Sequence, residues 1–362
     1  MKKRVVISGG GTGGHVFPAI AIGQEFAQSH PDTEVLFVGA NGKMEMEKVP
    51  AAGFRIVGLP VAGFQRKQLW KNYSFPFKLL ISLLKSVWIM LRYKPQAAIG
   101  VGGYASGPVL RIAQLFGVNT YLQEQNAFPG ATNRILGKRA KQVFAGFPGL
   151  EKFFPADRIT VSGNPIRTEL QQALSKSKTA YAEFGLQEDK PVLLVLGGSL
   201  GARTINEGIA ENLEAILALG VQIIWQTGKG HINQFQDQQR EGVWVGAFIT
   251  DMTLAYGVAD VVVSRAGALS ISEIMAVQVP AIFVPSPNVT DDHQTKNANN
   301  VCAHGGGVLI KDNCFAEELL GELKQLQDAV VRSAMQSAQK ELSRKDAAKT
   351  VVDFVVKETW GE

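Results

Sequence analysis

The sequence predicts an α/β protein built as two domains in tandem, each a parallel sheet wrapped by helices. Three observations carry that expectation. The opening RVVISGGGTGGHVFPAIAI at Arg4 returns in form at Pro191 as PVLLVLGGSLGARTINEGI, each an apolar strand, a glycine turn and a helix opening on small residues. Strand and helix patterns alternate behind both openings, which is how a parallel sheet acquires helices on both faces. Strands such as VLLVL are apolar throughout, as strands buried on both sides are. Together these describe two Rossmann-like domains, and 362 residues is a length for two.

In the first half, strands are expected at 35–38, 55–58, 97–101, 120–123 and 142–145, with helices between them, the longest at about 69–93. Pro76 starts or kinks that helix near its early end. A strand at 158–162 runs into the turn residues Gly163-Asn164-Pro165, so the domains are expected to divide there, 1–164 from 165–344. In the second half strands are expected at 192–196, 222–226, 243–247, 261–264 and 281–284. From Phe315 onward the pattern is helical and charged. A last helix at 346–359, within a segment 345–362, is expected to pack back on the first domain.

With 46 % apolar residues and 19 % charged, disorder is excluded as the dominant state. Cys302 and Cys314 have no CxxC spacing, which excludes a disulfide framework and makes a reducing compartment the expectation. The start MKKR is not followed by the apolar core of a signal peptide. The most apolar stretch, 79–91, is interrupted by Lys85 and falls short of the roughly 20 residues that span a bilayer. A cytosolic protein is therefore expected. The net charge of +5 is unevenly spread. From Lys48 to Gln123 there are ten lysines and arginines and no acid, so that 27 basic residues face 32 acidic ones elsewhere.

Four segments carry the chemistry. Gly9-Gly10-Gly11-Thr12-Gly13-Gly14 satisfies GxGxxG, a turn that lets backbone N–H groups approach a phosphate or sugar. A dinucleotide site also needs an acid at the end of the second strand, and that strand ends Val38-Gly39-Ala40-Asn41. No GK[ST] follows either glycine run, which excludes a P-loop. His15, inside the turn, is a poor choice for mere packing. In the second loop, Gly197-Gly198-Ser199-Leu200-Gly201-Ala202-Arg203, the Ser199 hydroxyl suits an anionic diphosphate. Arg203 or Arg167 could neutralise it by bidentate contact. The third segment, Ser264 to Glu273, reads as strand end, glycine turn and helix start. Either the helix N-terminus takes an anion while Glu273 chelates a ribose, or Ser270 and Glu273 form a capping box. The fourth, Gln123-Glu124-Gln125-Asn126, puts four polar side chains at a strand's C-terminal end, where open α/β sheets bind ligands.

Taken in order along residues 8–300, GGGTGGH, GVGGYASGP, QEQN, GNPIR, GGSLGAR, SRAGALSISE and Asp292-His293-Gln294 closely resemble the GT-B nucleotide-sugar glycosyltransferases. Within these they match the peptidoglycan branch that makes lipid II. The resemblance implies parallel sheets facing a deep cleft. It implies inverting transfer of N-acetylglucosamine (GlcNAc) from UDP-GlcNAc to the muramyl 4-hydroxyl of the undecaprenyl-linked lipid I acceptor, with no cofactor and no metal. Thr12, Gly13 and Gly14 would lie against the donor sugar and diphosphate, and Asn126 and Gln294 would bond the sugar. Arg167 and Ser199 would hold the diphosphate, and Ile249 would meet the uracil edge through its backbone. Gly267, Ala268, Leu269, Ser270, Ile271 and Ser272 would set a helix N-terminus at the phosphates, with Glu273 on the ribose. Inversion in one displacement needs a base for the acceptor hydroxyl, and the candidates are His15 and Glu124. The family commonly has His where this chain has Gln123, and an amide cannot take a proton.

A UDP-GlcNAc 2-epimerase would share the two-domain architecture and the donor, and a related transferase would act on a different lipid or polyketide acceptor. A non-catalytic nucleotide-sugar sensor at the membrane would bind UDP-GlcNAc but release no UDP when the lipid acceptor is added. The basic window bears on the choice. In 69–93, Lys71, Lys78, Lys85 and Arg92 recur every seven residues beside Trp70, Tyr73, Phe75, Phe77, Trp88 and several leucines. On a helix this makes either an interfacial element for an anionic cytoplasmic membrane surface or a core helix with a solvated basic edge. No groove-entering helix or stacking motif accompanies the charge, so nucleic acid is not the expected partner. The protein is expected as a peripheral protein at the cytoplasmic face of the cell membrane.

Overall fold

The computed structural model describes residues 2–61, 73–170, 176–198 and 200–362. The chain forms two compact units, Met1–Arg167 together with Arg344–Glu362, and Thr168–Ser343. In the first unit β1 (Lys3–Gly9), α1 (Gly13–Ser29), β2 (Thr33–Ala40), α2 (Glu45–Ala51) and β3 (Arg55–Leu59) build one flank of the sheet. Then α3 (Phe75–Tyr93), β4 (Ala97–Gly102), α4 (Ser106–Leu115), β5 (Asn119–Glu124), α5 (Ala131–Gly137), β6 (Gln142–Ala145) and β7 (Ile159–Val161) build the other. The seven strands lie in the order β3-β2-β1-β4-β5-β6-β7, all parallel.

Burial explains the continuous apolar strands. Val5 and Ile7 of β1 join Val16, Ile22 and Phe26 of α1 on one face, while Val6 joins Val109 and Leu110 of α4 on the other, and all are at most 1 % exposed. α3 begins at Phe75 with Pro76 in its first turn, so the proline starts the helix, as its fixed φ favours there. The early part of the expected helix, including Trp70 and Lys71, lies outside the described residues.

The second unit runs α6 (Lys178–Glu183), β8 (Val192–Leu196), α7 (Arg203–Ala218), β9 (Gln222–Gln226), α8 (Ile232–Phe235) and β10 (Val243–Gly246). It continues through α9 (Met252–Val258), β11 (Val261–Ser264), α10 (Ala268–Val277), β12 (Ala281–Phe283), α11 (His293–Cys302), β13 (Val308–Leu309), α12 (Phe315–Gln325) and α13 (Ala329–Leu342). Its six strands lie in the order β10-β9-β8-β11-β12-β13, all parallel. β13, two residues long, is too short to carry a pattern in the sequence. The chain then re-enters the first unit as α14 (Ala347–Trp360), which packs against α1.

Both sheets reverse their strand order at the first strand, between β1 and β4 and between β8 and β11. That reversal opens a crevice at the carboxyl ends of those strands. The segments 9–14, 197–203 and 264–273 lie at the ends of β1, β8 and β11, GVGGYASGP runs out of β4, and 123–126 lies at the end of the neighbouring β5.

Candidate functional site

In the first unit the turns after β1 and β4 are in backbone contact. A Cβ on Gly103 would stand 2.2 Å from the Gly10 carbonyl oxygen, so only glycine fits. The buried Ser106 hydroxyl straps the two turns, 2.8 Å from the Ser8 carbonyl and 2.7 Å from that of Gly102. His15 stands in the first turn of α1, half-buried. Its Nδ1 lies 3.3 Å from the hydroxyl of Thr12, the helix N-cap, and its ring lies over Gly102, where a Cβ would come within 2.6 Å of Cδ2. Thr12 and Gly14 are exposed and Gly13 half-buried.

The string 123–126 turns mostly inward. Gln123, Glu124 and Gln125 are each at most 2 % exposed. Gln123 Nε2 donates to Asn164 Oδ1 at 2.9 Å, Gln125 Nε2 donates to the Val101 carbonyl at 2.9 Å and to Gln123 Oε1, and Asn164 Nδ2 donates to the Gln125 carbonyl at 3.1 Å. The position where the family commonly has His is thus a buried bridge to the GNPIR segment. Glu124 is not presented to a substrate. Its carboxylate accepts from the N–H groups of Asn126 at 3.0 Å and Gly130 at 3.1 Å, and from Asn133 Nδ2 at 2.8 Å. Burial pushes its carboxyl above the ordinary value, opposed by those donors. As a second base candidate it is displaced by this geometry: it organises the loop. Asn126 alone of the four is half-exposed.

In the second unit α10 starts at Ala268 with Gly267 as N-cap, without a side-chain capping bond. The capping-box alternative is therefore corrected, because Ser270 is already inside the helix. The N–H groups of Ala268, Leu269 and Ser270 precede the first intrahelical bond, from Ile271 to Gly267, and are available to an anion. Ala268 and Ile271 bury their side chains, Ser272 Oγ bonds back to the Ala268 carbonyl at 3.0 Å, and Glu273 is half-buried one turn on.

Arg265 fixes the approach to this helix. It pairs with Asp312 and donates to the Val284 carbonyl at 3.0 Å, while Asp312 also accepts from the Thr204 hydroxyl at 3.0 Å. Ile249 is buried, and its N–H donates to Gln226 Oε1 at 2.9 Å. Gln294 Oε1 accepts from Ser286 N–H at 2.8 Å, which leaves its amide N–H groups to donate. Arg203 is exposed and 3.6 Å from Glu207, a surface pair. Arg167 is half-buried, and Ser199 lies outside the described residues. Gln226 and Asp312 escaped the sequence reading, since nothing separates them there from surface residues.

α3 is apolar on two faces. Ser82, Ser86, Ile89 and Met90 are buried, the serines bonding back along the helix at 2.7 Å. Opposite them Phe77, Leu80, Ile81, Leu84, Trp88 and Leu91 are 46–70 % exposed, with Lys78, Lys85 and Arg92 along one flank. Among the described residues no helix is long and apolar enough to cross a membrane.

Parallel sheets with glycine turns and a helix N-terminus at the switch-point strands make a fold and site of the nucleotide-sugar-binding kind. The chain belongs to glycosyltransferase family 28. Residues 5–145 match the family's N-terminal domain and residues 192–351 its C-terminal domain. It is 46 % identical over 361 residues, covering 98 % of each chain, to the UDP-N-acetylglucosamine–N-acetylmuramyl-(pentapeptide) pyrophosphoryl-undecaprenol N-acetylglucosamine transferase of Parabacteroides distasonis. To the enzyme of the same name from Phocaeicola vulgatus it is 49 % identical, over 88 % of this chain and 86 % of the relative. The crystal structure of Acinetobacter baumannii MurG superposes with a TM-score of 0.78 at 31 % identity, covering 98 % of this chain and 99 % of that one.

Proposed function

We propose that this chain is an inverting glycosyltransferase that moves GlcNAc from UDP-GlcNAc to the muramyl 4-hydroxyl of undecaprenyl-pyrophosphoryl-MurNAc-pentapeptide, turning lipid I into lipid II in peptidoglycan synthesis. The observation that carries this reading is identity of 44–49 % over 88–98 % of the chain to transferases named for that reaction.

The acceptor oxygen attacks the anomeric carbon opposite UDP, the bond from that carbon to the diphosphate breaks, and UDP leaves with the electron pair. His15 takes the hydroxyl proton. The contact between its Nδ1 and the Thr12 hydroxyl, 3.3 Å apart, orients the ring for that task. The charge arriving on UDP meets the N-terminus of α10 from Gly267 to Ser272, with Arg167 and Ser199 on the diphosphate. Glu273 chelates the ribose, the Ile249 carbonyl accepts from the uracil, and Asn126 and Gln294 bond the GlcNAc hydroxyls. Thr12, Gly13 and Gly14 line the sugar. The outward ridge of α3 with Lys78, Lys85 and Arg92 supports docking on the anionic cytoplasmic leaflet, where a lipid-linked acceptor is found.

Radiolabelled GlcNAc supplied as UDP-GlcNAc is expected to appear on lipid I and not on other glycolipids. Equal labelling of unrelated glycolipids would overturn the acceptor. Conversion of UDP-GlcNAc alone to its 2-epimer would overturn the transferase reading.

A further inference from the structure

Glu45 stands in Lys43-Met44-Glu45-Met46-Glu47-Lys48, a run that reads as solvated surface. In the structure it is the first residue of α2 and 1 % exposed. Its carboxylate spans two chain segments. Oε2 accepts from the N–H of Gly11, in the turn after β1, at 3.0 Å, and Oε1 accepts from the N–H of Ala40, the last residue of β2, at 2.9 Å. The surrounding glycines are shaped to it. A Cβ on Gly10 would lie 2.0 Å from Oε1, and a Cβ on Gly39 would lie 2.5 Å from the Glu45 Cγ. Gly10 in turn carries the carbonyl against which Gly103 is pressed.

A turn of three successive glycines has more conformational freedom to lose than any other tripeptide. Left to itself it would sample many shapes, and Thr12 and His15 follow it directly. A buried carboxylate held by backbone N–H groups is costly unless both oxygens are satisfied, and here each has one backbone N–H donor. The arrangement is therefore a clamp with a definite geometry, which an amide cannot reproduce: it would set an NH2 against one of the two N–H donors.

We propose that Glu45 is the positioning residue of the β1–α1 turn. It clamps Gly11 to the end of β2, so that Thr12 and His15 are held where the transfer step needs them, and it governs turnover rather than donor affinity. The last clause rests on the proposed transferase reading; the clamp itself does not.

The test combines amide hydrogen exchange with steady-state kinetics on the full chain. In the wild type the Gly11 and Ala40 amides are expected to be protected. Glu45→Ala and Glu45→Gln are expected to release that protection. Both should lower kcat about 100-fold, the size of loss a misplacement of about 1 Å produces, with KM for UDP-GlcNAc within about twofold. Gly39→Ala, which pushes the carboxylate away, should lower kcat on its own yet add little to Glu45→Ala, a non-additivity expected of residues acting through one contact. A merely structural glutamate would lower thermal stability and move KM and kcat together, with additive effects. That pattern, or unchanged kcat, overturns the proposal. If Glu45→Ala does not fold, Glu45→Gln, which keeps the shape, carries the comparison. A wild type with Gly11 protected but no transfer fails the transferase reading and leaves the clamp standing. Transfer by a wild type whose Gly11 amide exchanges freely fails the clamp alone.

Discussion

The imidazole of His15 is confined on two sides, by the Thr12 hydroxyl at Nδ1 and by Gly102 beneath the ring. Such confinement suits a proton acceptor, whose efficiency depends on distance and orientation. A positioned base is worth about 10²–10⁴-fold in rate. His15→Ala is accordingly expected to lower kcat by about that factor while UDP affinity, measured by titration calorimetry, stays within about twofold. Near-normal turnover would remove His15 as the base. Glu124 makes the contrasting case. Burial raises its carboxyl in the folded state, so on raising the pH the unfolded chain gives up its proton first. Stability from this group is therefore full below the unfolded value of about 4.3 and declines as pH climbs from there to the raised folded value. Glu124→Gln lacks this slope, and it also sets an NH2 against donor groups, a loss of about 1–3 kcal/mol. In urea unfolding the deficit of the variant should be largest at low pH and shrink as pH rises through that window. A deficit that grows instead would reverse the assignment. The sequence showed a polar cluster after β5 but not its direction. Gln123, Glu124 and Gln125 occupy each other and the backbone, and only the folded chain tells a ligand-facing amide from a buried bridge.

Strands were legible because two-sided burial makes them continuously apolar, and the glycine turns because close backbone approach admits nothing larger. Less was legible where an element's end depends on packing. α10 was expected near Ser270 but begins at Ala268, since Gly267 supplies the extended N-cap conformation without a side-chain bond. The stripe on α3 was visible as a seven-residue repeat of charge. Its two apolar faces were not separable until burial showed Ile89 and Met90 inward and Leu84 and Trp88 outward. That separation makes the membrane prediction quantitative. Basic groups near an anionic surface contribute about 1 kcal/mol each, so losing Lys78, Lys85 and Arg92 costs about 3 kcal/mol, about 100-fold in partitioning. The triple reversal Lys78→Glu, Lys85→Glu, Arg92→Glu is expected to lose at least that much binding to phosphatidylglycerol vesicles in sedimentation. Wild-type binding should weaken with salt. Undiminished binding by the triple variant would refute docking through this face.

The chain leaves its first unit at Arg167 and returns to it at Arg344, so the first unit's core is completed only by the last helix. Val351, Val352, Val355 and Val356 of α14 are each at most 2 % exposed and join the cluster of Val16, Ile22 and Phe26. Phe354 meets Tyr121 and Phe144 edge-on at 6.2 and 5.5 Å, and the Tyr121 hydroxyl lies 3.1 Å from that of Thr359. The surface pair of Lys141 and Glu358, 2.8 Å apart, adds little by comparison. Trimming a buried valine to alanine removes two carbons' worth of transfer energy, about 1.6 kcal/mol, plus the cavity left behind. Val351 and Val355 are one helical turn apart, so their losses couple rather than add independently. The double variant Val351→Ala, Val355→Ala should therefore lose about 3 kcal/mol or more from the first unit alone. Hydrogen exchange is the measurement that assigns the loss. Protection should fall across β1, β4 and β5, which are far from the substitutions in sequence, and hold across β8 and β11, which are nearer along the chain. If β8 and β11 lose protection while β1, β4 and β5 keep theirs, α14 does not belong energetically to the first unit.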